Sequence, residues 1–111
     1  VRFLKNPHWE PALQPLTGLD PSVQDFIRND ARFTPFRDRL TALLDVLVPA
    51  YRDEGKSYLT IAFGCTGGKH RSVFLAEVVA GWLAGRGFAP AVRHREQGLQ
   101  RTLAPAPETA S

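Results

Sequence analysis

Between Tyr58 and Ser72 an alternating apolar run breaks into a loop of small residues, and that break restricts the fold of the chain more than any other feature. Leu59, Ile61 and Phe63 are separated by Thr60 and Ala62, the pattern of a buried parallel strand in an α/β unit. Gly64, Gly67 and Gly68 then permit tight turning and close backbone approach. From Val73 to Leu83 the sequence reads as a helix. Loop N–H groups and the positive end of that helix should therefore converge at the carboxyl end of the strand, where an anion such as phosphate is held by geometry and charge together.

The flanking segments complete an α/β reading. Four prolines between Asn6 and Pro21 forbid a long helix there and predict an ordered surface loop. Asp20 is placed to cap a short helix that has Pro21 at its first position and reaches about Asn29. Thr34 and Pro35 repeat the start signal, and Phe36, Leu40, Leu43, Leu44, Leu47 and Val48 fall on helical spacing up to a kink or end at Pro49. Asp53 to Ser57 should turn the chain into the central strand. The helix after the loop should end at Gly85–Gly87, and Ala89 to Arg95 offers a second strand. Residues 58–95 thus predict a right-handed strand-helix-strand crossover within a small, largely parallel sheet flanked by helices. Beyond Glu96 the apolar periodicity stops, so 97–111 reads as a disordered tail.

Composition sets outer limits. A chain of 111 residues suits one domain, and a formal charge of +3 favours anionic partners without demanding nucleic acid. The single cysteine excludes an internal disulfide and fits a reducing compartment. No signal peptide or long apolar run is visible, so a cytoplasmic protein without membrane association is expected. The sequence holds no G-x-x-x-x-G-K-[ST], so ATP or GTP hydrolysis is not assigned to it and no cofactor is expected. The start at Val1 rather than Met suggests a piece of a larger protein.

Two chemistries fit the loop. Cys65, Arg71 and Ser72 reproduce the C-x5-R-[ST] spacing of cysteine-dependent phosphatases, in which a thiolate lies beneath phosphorus and an arginine grips the equatorial oxygens. Gly64 stands where that motif usually has histidine, and no aspartate is identifiable as the leaving-group acid. The other chemistry is binding without turnover. Thr66, Gly67 and Gly68 would offer backbone donors, His70 and Arg71 polar or charged contacts, and Cys65 a small polarisable wall. Arg71 in this reading contacts phosphate rather than packing in the core. Trp9 and Trp82 are assigned to packing.

The second chemistry gains from a resemblance. Gly64-Cys-Thr-Gly-Gly-Lys-His-Arg-Ser72, with Ser57-Tyr-Leu-Thr60 before it and Arg93-His-Arg95 after it, resembles the carboxyl-terminal domain of the RapZ/YvcJ family of RNase adapter proteins. Upstream, Arg2-Phe-Leu-Lys-Asn-Pro-His-Trp9 and Leu16-Thr-Gly-Leu-Asp20 extend it over residues 1–96. The resemblance implies a bacterial sensor of glucosamine-6-phosphate that binds small regulatory RNA and presents it to an endoribonuclease. It also implies a homo-oligomer in the full-length protein, an amino-terminal domain that binds ATP or GTP, and a strand upstream of Val1. His8 corresponds to a family pocket position, and Tyr58 could bring its hydroxyl to the same site. For RNA, Arg93 and Arg95 on one strand face form the best local patch, with Lys69, Arg86 and Arg101 around it. Relatives end in a lysine- and arginine-rich tail where this chain has Gln97 to Thr102 and an uncharged Pro/Ala stretch.

Overall fold

The computed structural model describes residues 1–55 and 58–105. Among these, three helices and one two-stranded sheet form: α1 (Pro21–Arg28), α2 (Phe33–Asp53), α3 (Arg71–Gly85), β1 (Ala91–His94) and β2 (Leu99–Thr102). The architecture is α/β, as expected from the sequence. Its sheet is antiparallel, not parallel, with Ala91 opposite Thr102 and His94 opposite Leu99. Residues 59–63 pair with no strand among the described residues, so the expected crossover has its helix and second strand but no paired first strand there.

The second correction concerns the tail. Leu99–Thr102, within the stretch read as disordered, is β2, and Leu103 N–H donates to Pro90 O at 2.9 Å to continue the ladder. A 3-10 turn at Arg95–Gln97 and left-handed Gly98 (φ 63°) reverse the chain between the strands. The rest of the tail expectation, over 106–111, lies outside the described residues, as do Lys56 and Ser57 of the turn before the central segment.

The core joins the helices to the start of the chain. Leu4, Val23, Ile27, Phe33, Phe74 and Leu75 form its buried cluster, and the Phe33 and Phe74 rings stack with centroids 5.4 Å apart. Full burial of side chains of this size stabilises by about 1.5–3 kcal/mol each. Helix α2 contributes through Phe33 and Leu44 and continues through Pro49 to Asp53, so the proline removes one N–H without ending the helix.

Caps differ from the expected ones. Asp20 occupies the cap position of α1, but its carboxylate accepts the Thr17 N–H at 2.8 Å instead of bonding the first helical turn. Asp30 holds the turn into α2: it accepts from Lys5 N–H, Arg32 N–H and the Arg32 guanidinium, all within 3.1 Å. The Arg32 side chain, partly opposed by burial and helped by the two backbone donors, lowers the Asp30 pKa to about 2. Trp9, expected to pack, is 77% exposed on a 3-10 turn (Pro7–Trp9) that lies within the predicted loop.

Gly18 is where two parts of the chain touch most closely. Its N–H donates to Lys69 O at 3.0 Å, and a Cβ added there would stand 2.3 Å from His70 O and 2.6 Å from Phe74 N. Those neighbours are backbone at the start of α3 and cannot swing aside. Gly18→Ala should therefore destabilise by roughly 1–3 kcal/mol in urea unfolding. Gly81→Ala, in α3 with nothing within 4 Å of the added carbon, should instead stabilise by about 0.5–1 kcal/mol. An unchanged midpoint for Gly18→Ala would show that the contact at this point is not tight.

Candidate functional site

The glycine loop has two faces that make different contacts. Gly67 (φ 83°) and Gly68 (φ 64°) both take the left-handed conformation, which a side chain would strain. Gly68 also packs on the β1–β2 connection, since a Cβ there would stand 2.6 Å from Glu96 Cγ. Their turn carries Cys65 to the amino end of α3. Its Sγ lies 3.2 Å from Ser72 Oγ and accepts the Ser72 N–H across 3.4 Å. His70, the cap residue of α3, makes no side-chain bond to the first turn. Of the first-turn N–H groups, that of Ser72 is taken by Cys65 and that of Phe74 by His70 O; any left over are donors of the kind an anion takes.

Burial pushes the Cys65 thiol up, but bonds from the Ser72 side chain and backbone, the Gly68 backbone and the nearby Arg71 charge outweigh it and hold its pKa below the ordinary cysteine value. Ser72, included in the sequence reading only as the end of a motif, is thus the principal partner of the thiol.

On the opposite face, Arg71 departs from the expected role. The side chain is 4% exposed, and its Nη1 donates to the carbonyls of Arg2 at 2.6 Å and Leu4 at 3.0 Å. It packs in the interior and ties the start of the chain to α3. His70 is buried beside it with Nε2 lacking a hydrogen-bond partner. Burial lowers its pKa, Lys69 adds to the effect, and the backbone of Leu13, Leu16 and Gln14 opposes it. The imidazole therefore favours the neutral form. An arginine clasped by two main-chain carbonyls does not arch over Cys65, so the C-x5-R spacing lacks its phosphatase geometry here.

Cys65, Gly67 and Gly68 open onto a trough of about 1140 Å³ that runs between residues 58–64 and 88–96. Tyr58, 89% exposed, and residues Arg93 and Arg95 line the same trough. Thr66 is exposed beside it. His8 stands apart on its 3-10 turn, against the Trp9 ring and 3.5 Å from Gln14 Nε2. Among the described residues no group of three or more His, Cys, Asp or Glu could hold a metal ion, and no helix is long and apolar enough to cross a membrane.

The cations singled out for RNA divide in the same way. Lys69 Nζ donates to Gln14 O at 2.7 Å; Arg86 pairs with Asp45 at 3.0 Å and covers the Trp82 ring; Arg101 pairs with Glu77. Glu77 also holds the buried His94 at 3.3 Å, fixing the hairpin to α3. Arg93 and Arg95 are exposed and, among the described residues, carry no ion pair.

Fold and site together define an α/β domain built around a glycine-rich loop at a helix amino terminus. The chain belongs to the RapZ C-terminal domain family, whose model matches residues 1–98. It is 60% identical over 96 residues to a nucleotide-binding protein of Rhodospirillum rubrum, covering 86% of this chain and 30% of the relative. Nucleotide-binding proteins of Rhodospirillum centenum and Rhizorhabdus wittichii are 54% and 52% identical over 99% and 94% of this chain. The chain spans 32% and 33% of their lengths, so it corresponds to about a third of such relatives.

The thiol environment is directly measurable. Iodoacetamide should modify Cys65 at neutral pH faster than it modifies an unstructured cysteine, because more of the thiol is ionised. Ser72→Ala removes one bond to sulfur, so its rate-against-pH profile should move to higher pH. A profile identical in both proteins would show that Ser72 does not stabilise the thiolate.

Proposed function

We propose that this domain is a sugar-phosphate sensor and RNA-binding adapter rather than an enzyme. The observation that carries the reading is the loop itself: two left-handed glycines and a helix start without a side-chain cap surround Cys65 at the edge of an open trough. A phosphate would sit against loop N–H groups and the first turn of α3. The fixed charge of Arg71, buried behind the loop, would favour the anion through space without touching it. The hydroxyl of Tyr58 and the backbone around Thr66 would face the sugar. His8 would close the other side as its loop folds over the ligand.

Family membership supports a phosphorylated hexosamine, glucosamine-6-phosphate, as the ligand. The buried engagement of Arg71 argues against a phosphocysteine mechanism, since nothing places a guanidinium over the oxygens of a transferring phosphoryl group. The RNA and an endoribonuclease partner, the cytoplasmic location and the oligomeric state of the longer protein are part of the same proposal. The nucleotide sites to which the relatives' names refer would lie outside these 111 residues, which carry no P-loop.

Calorimetry should find saturable binding of glucosamine-6-phosphate and none of glucosamine. Gly67→Ala, which strains the loop where there is room for the added carbon, should weaken binding about tenfold, corresponding to about 1.4 kcal/mol, within the range of backbone strain at such a position. Equal binding of glucosamine, or no effect of Gly67→Ala on affinity, defeats the cradle.

The RNA reading has a separate readout. Replacing Arg93 and Arg95 by alanine should weaken binding of structured RNA and flatten its salt dependence, because fewer counterions are released. Sugar-phosphate affinity should stay unchanged. Equal salt slopes for wild type and double variant would show that these arginines are not the RNA contact.

A further inference from the structure

At its far end α3 closes in a turn that creates a second, smaller recess. Left-handed Gly87 (φ 89°) stops the helix, its N–H donates to Ala84 O at 3.1 Å, and Phe88 N–H donates to Leu83 O at 3.1 Å. This cap brings Phe88 back alongside the last turn. Helix α2 supplies the facing wall, where Asp45, Val48, Pro49 and Arg52 recur at the spacing of one helix face. With Trp82 and Arg86 of the α3 end they bound a cleft of about 190 Å³. Val48 and Phe88 line the large trough as well, so the two recesses adjoin, while no residue of the glycine loop lines the cleft.

The cleft offers flat surfaces and an uneven charge. The Arg86 guanidinium lies over the Trp82 ring, 5.0 Å from its centroid, and that of Arg52 over the Phe88 ring at 5.4 Å. Asp45 neutralises Arg86 at 3.0 Å, whereas Arg52 carries no ion pair among the described residues. Leu44, Val48 and Pro49 add aliphatic surface. Planar walls, an apolar floor and one uncompensated cation suit a flat ring attached to an anionic chain. Size narrows the ring. A cavity of about 150 Å³ takes one benzene, so the cleft suits a single six-membered ring with its substituents better than a bicyclic purine. A partner helix, about 10–12 Å across, does not enter it.

We infer that the cleft receives one unpaired pyrimidine base of a bound RNA, stacked on the planes of Trp82, Phe88 and their arginines while Arg52 meets the adjoining phosphate. This rests on the RNA reading above. The occupant is chosen by continuity as well as by chemistry: the unpaired Arg93 and Arg95 line the trough next to the cleft, so a strand whose phosphates pass those arginines reaches the cleft along one surface. Splayed bases of single-stranded RNA stack on aromatic rings and on guanidinium planes in this way. Arg86 acts here through its plane, since Asp45 already engages its charge.

The test uses the natural chain that contains these residues, with RNA stem–loops that share one stem and carry a loop of uridines, adenosines or abasic sugars. A 5-iodouridine loop should crosslink on irradiation to Trp82 or Phe88, as located by mass spectrometry. Phe88→Leu and Trp82→Leu keep apolar volume and remove the ring. Each should weaken uridine-loop RNA about tenfold with an unchanged salt slope, and leave the weaker abasic-loop RNA unaffected. A ring that only supports the fold would weaken both RNAs alike. Equal losses on uridine and abasic loops, or a crosslink that maps elsewhere, overturn the inference, and equal affinity for adenosine and uridine loops overturns the choice of a pyrimidine. Where a variant does not fold, the crosslink, made on the unaltered protein, decides alone. If these outcomes fail while Arg93 and Arg95 still set the salt slope, the RNA reading stands without the cleft; if no stem–loop binds the unaltered protein, both fall.

Discussion

The buried guanidinium of Arg71 is the contact on which the loop geometry depends. A charged group with 4% exposure is costly to desolvate, and two carbonyls from residues two apart in the chain offset that cost. They fix the path of Arg2–Leu4, which puts Leu4 into the cluster with Phe33 and Phe74. The same start of the chain is held through Lys5 N–H to Asp30, ahead of α2. Where α3 begins, where the loop turns and where the first residues run are therefore one coupled arrangement. Deleting the side chain would leave two acceptors without their donor as well as removing a charge.

A second set of contacts holds the same loop from the other direction. Lys69 gives its carbonyl to Gly18 N–H and its ammonium to Gln14 O, while Gly18 presses against His70 O and Phe74 N. Only glycine allows that approach. With one face of the loop bound to residues 2–18, the other face is left for Cys65, Gly67 and Gly68 to present to the trough. The loop is thus held by a segment some fifty residues upstream of it, through contacts that no local motif encodes.

The sequence announced the parts whose signals are local. Helical spacing from Phe36 to Val48, the apolar run Val73–Leu83 and the glycine turns all correspond to observed elements. Side-chain direction was not legible in the same way. A C-x5-R spacing fixes how far apart Cys65 and Arg71 lie along the chain, but the helix that starts at Arg71 carries the arginine inward. Asp20 illustrates the same limit on a smaller scale: it is the right residue in the right position to cap, yet it bonds backward to Thr17. Trp9 shows that an apolar side chain in a proline-rich turn need not reach the core. β2 escaped notice because Leu99–Thr102 is exposed at every position, so main-chain pairing with β1 rather than burial specifies it.

Charge distribution follows from the same division between tied and untied groups. Glu77 carries two partners, the buried His94 and Arg101, and thereby attaches both strands of the hairpin to α3. Asp45 holds Arg86 against Trp82 at the far end of that helix. These cations neutralise acids and fill space along the helix, so their contribution to an outward field is largely cancelled by their own partners. Arg93 differs because β1 buries Val92 and His94 against α3 and leaves the intervening position outside, and Arg95 because it stands exposed on the 3-10 turn after the strand, not on the strand face expected from the sequence. Strand alternation at Arg93 and the turn at Arg95, rather than the modest net charge, place these two arginines along the trough that the glycine loop also lines. In the proposed reading, an anion drawn to the loop would meet that field before the backbone donors, and the trough wall would act as a steering element.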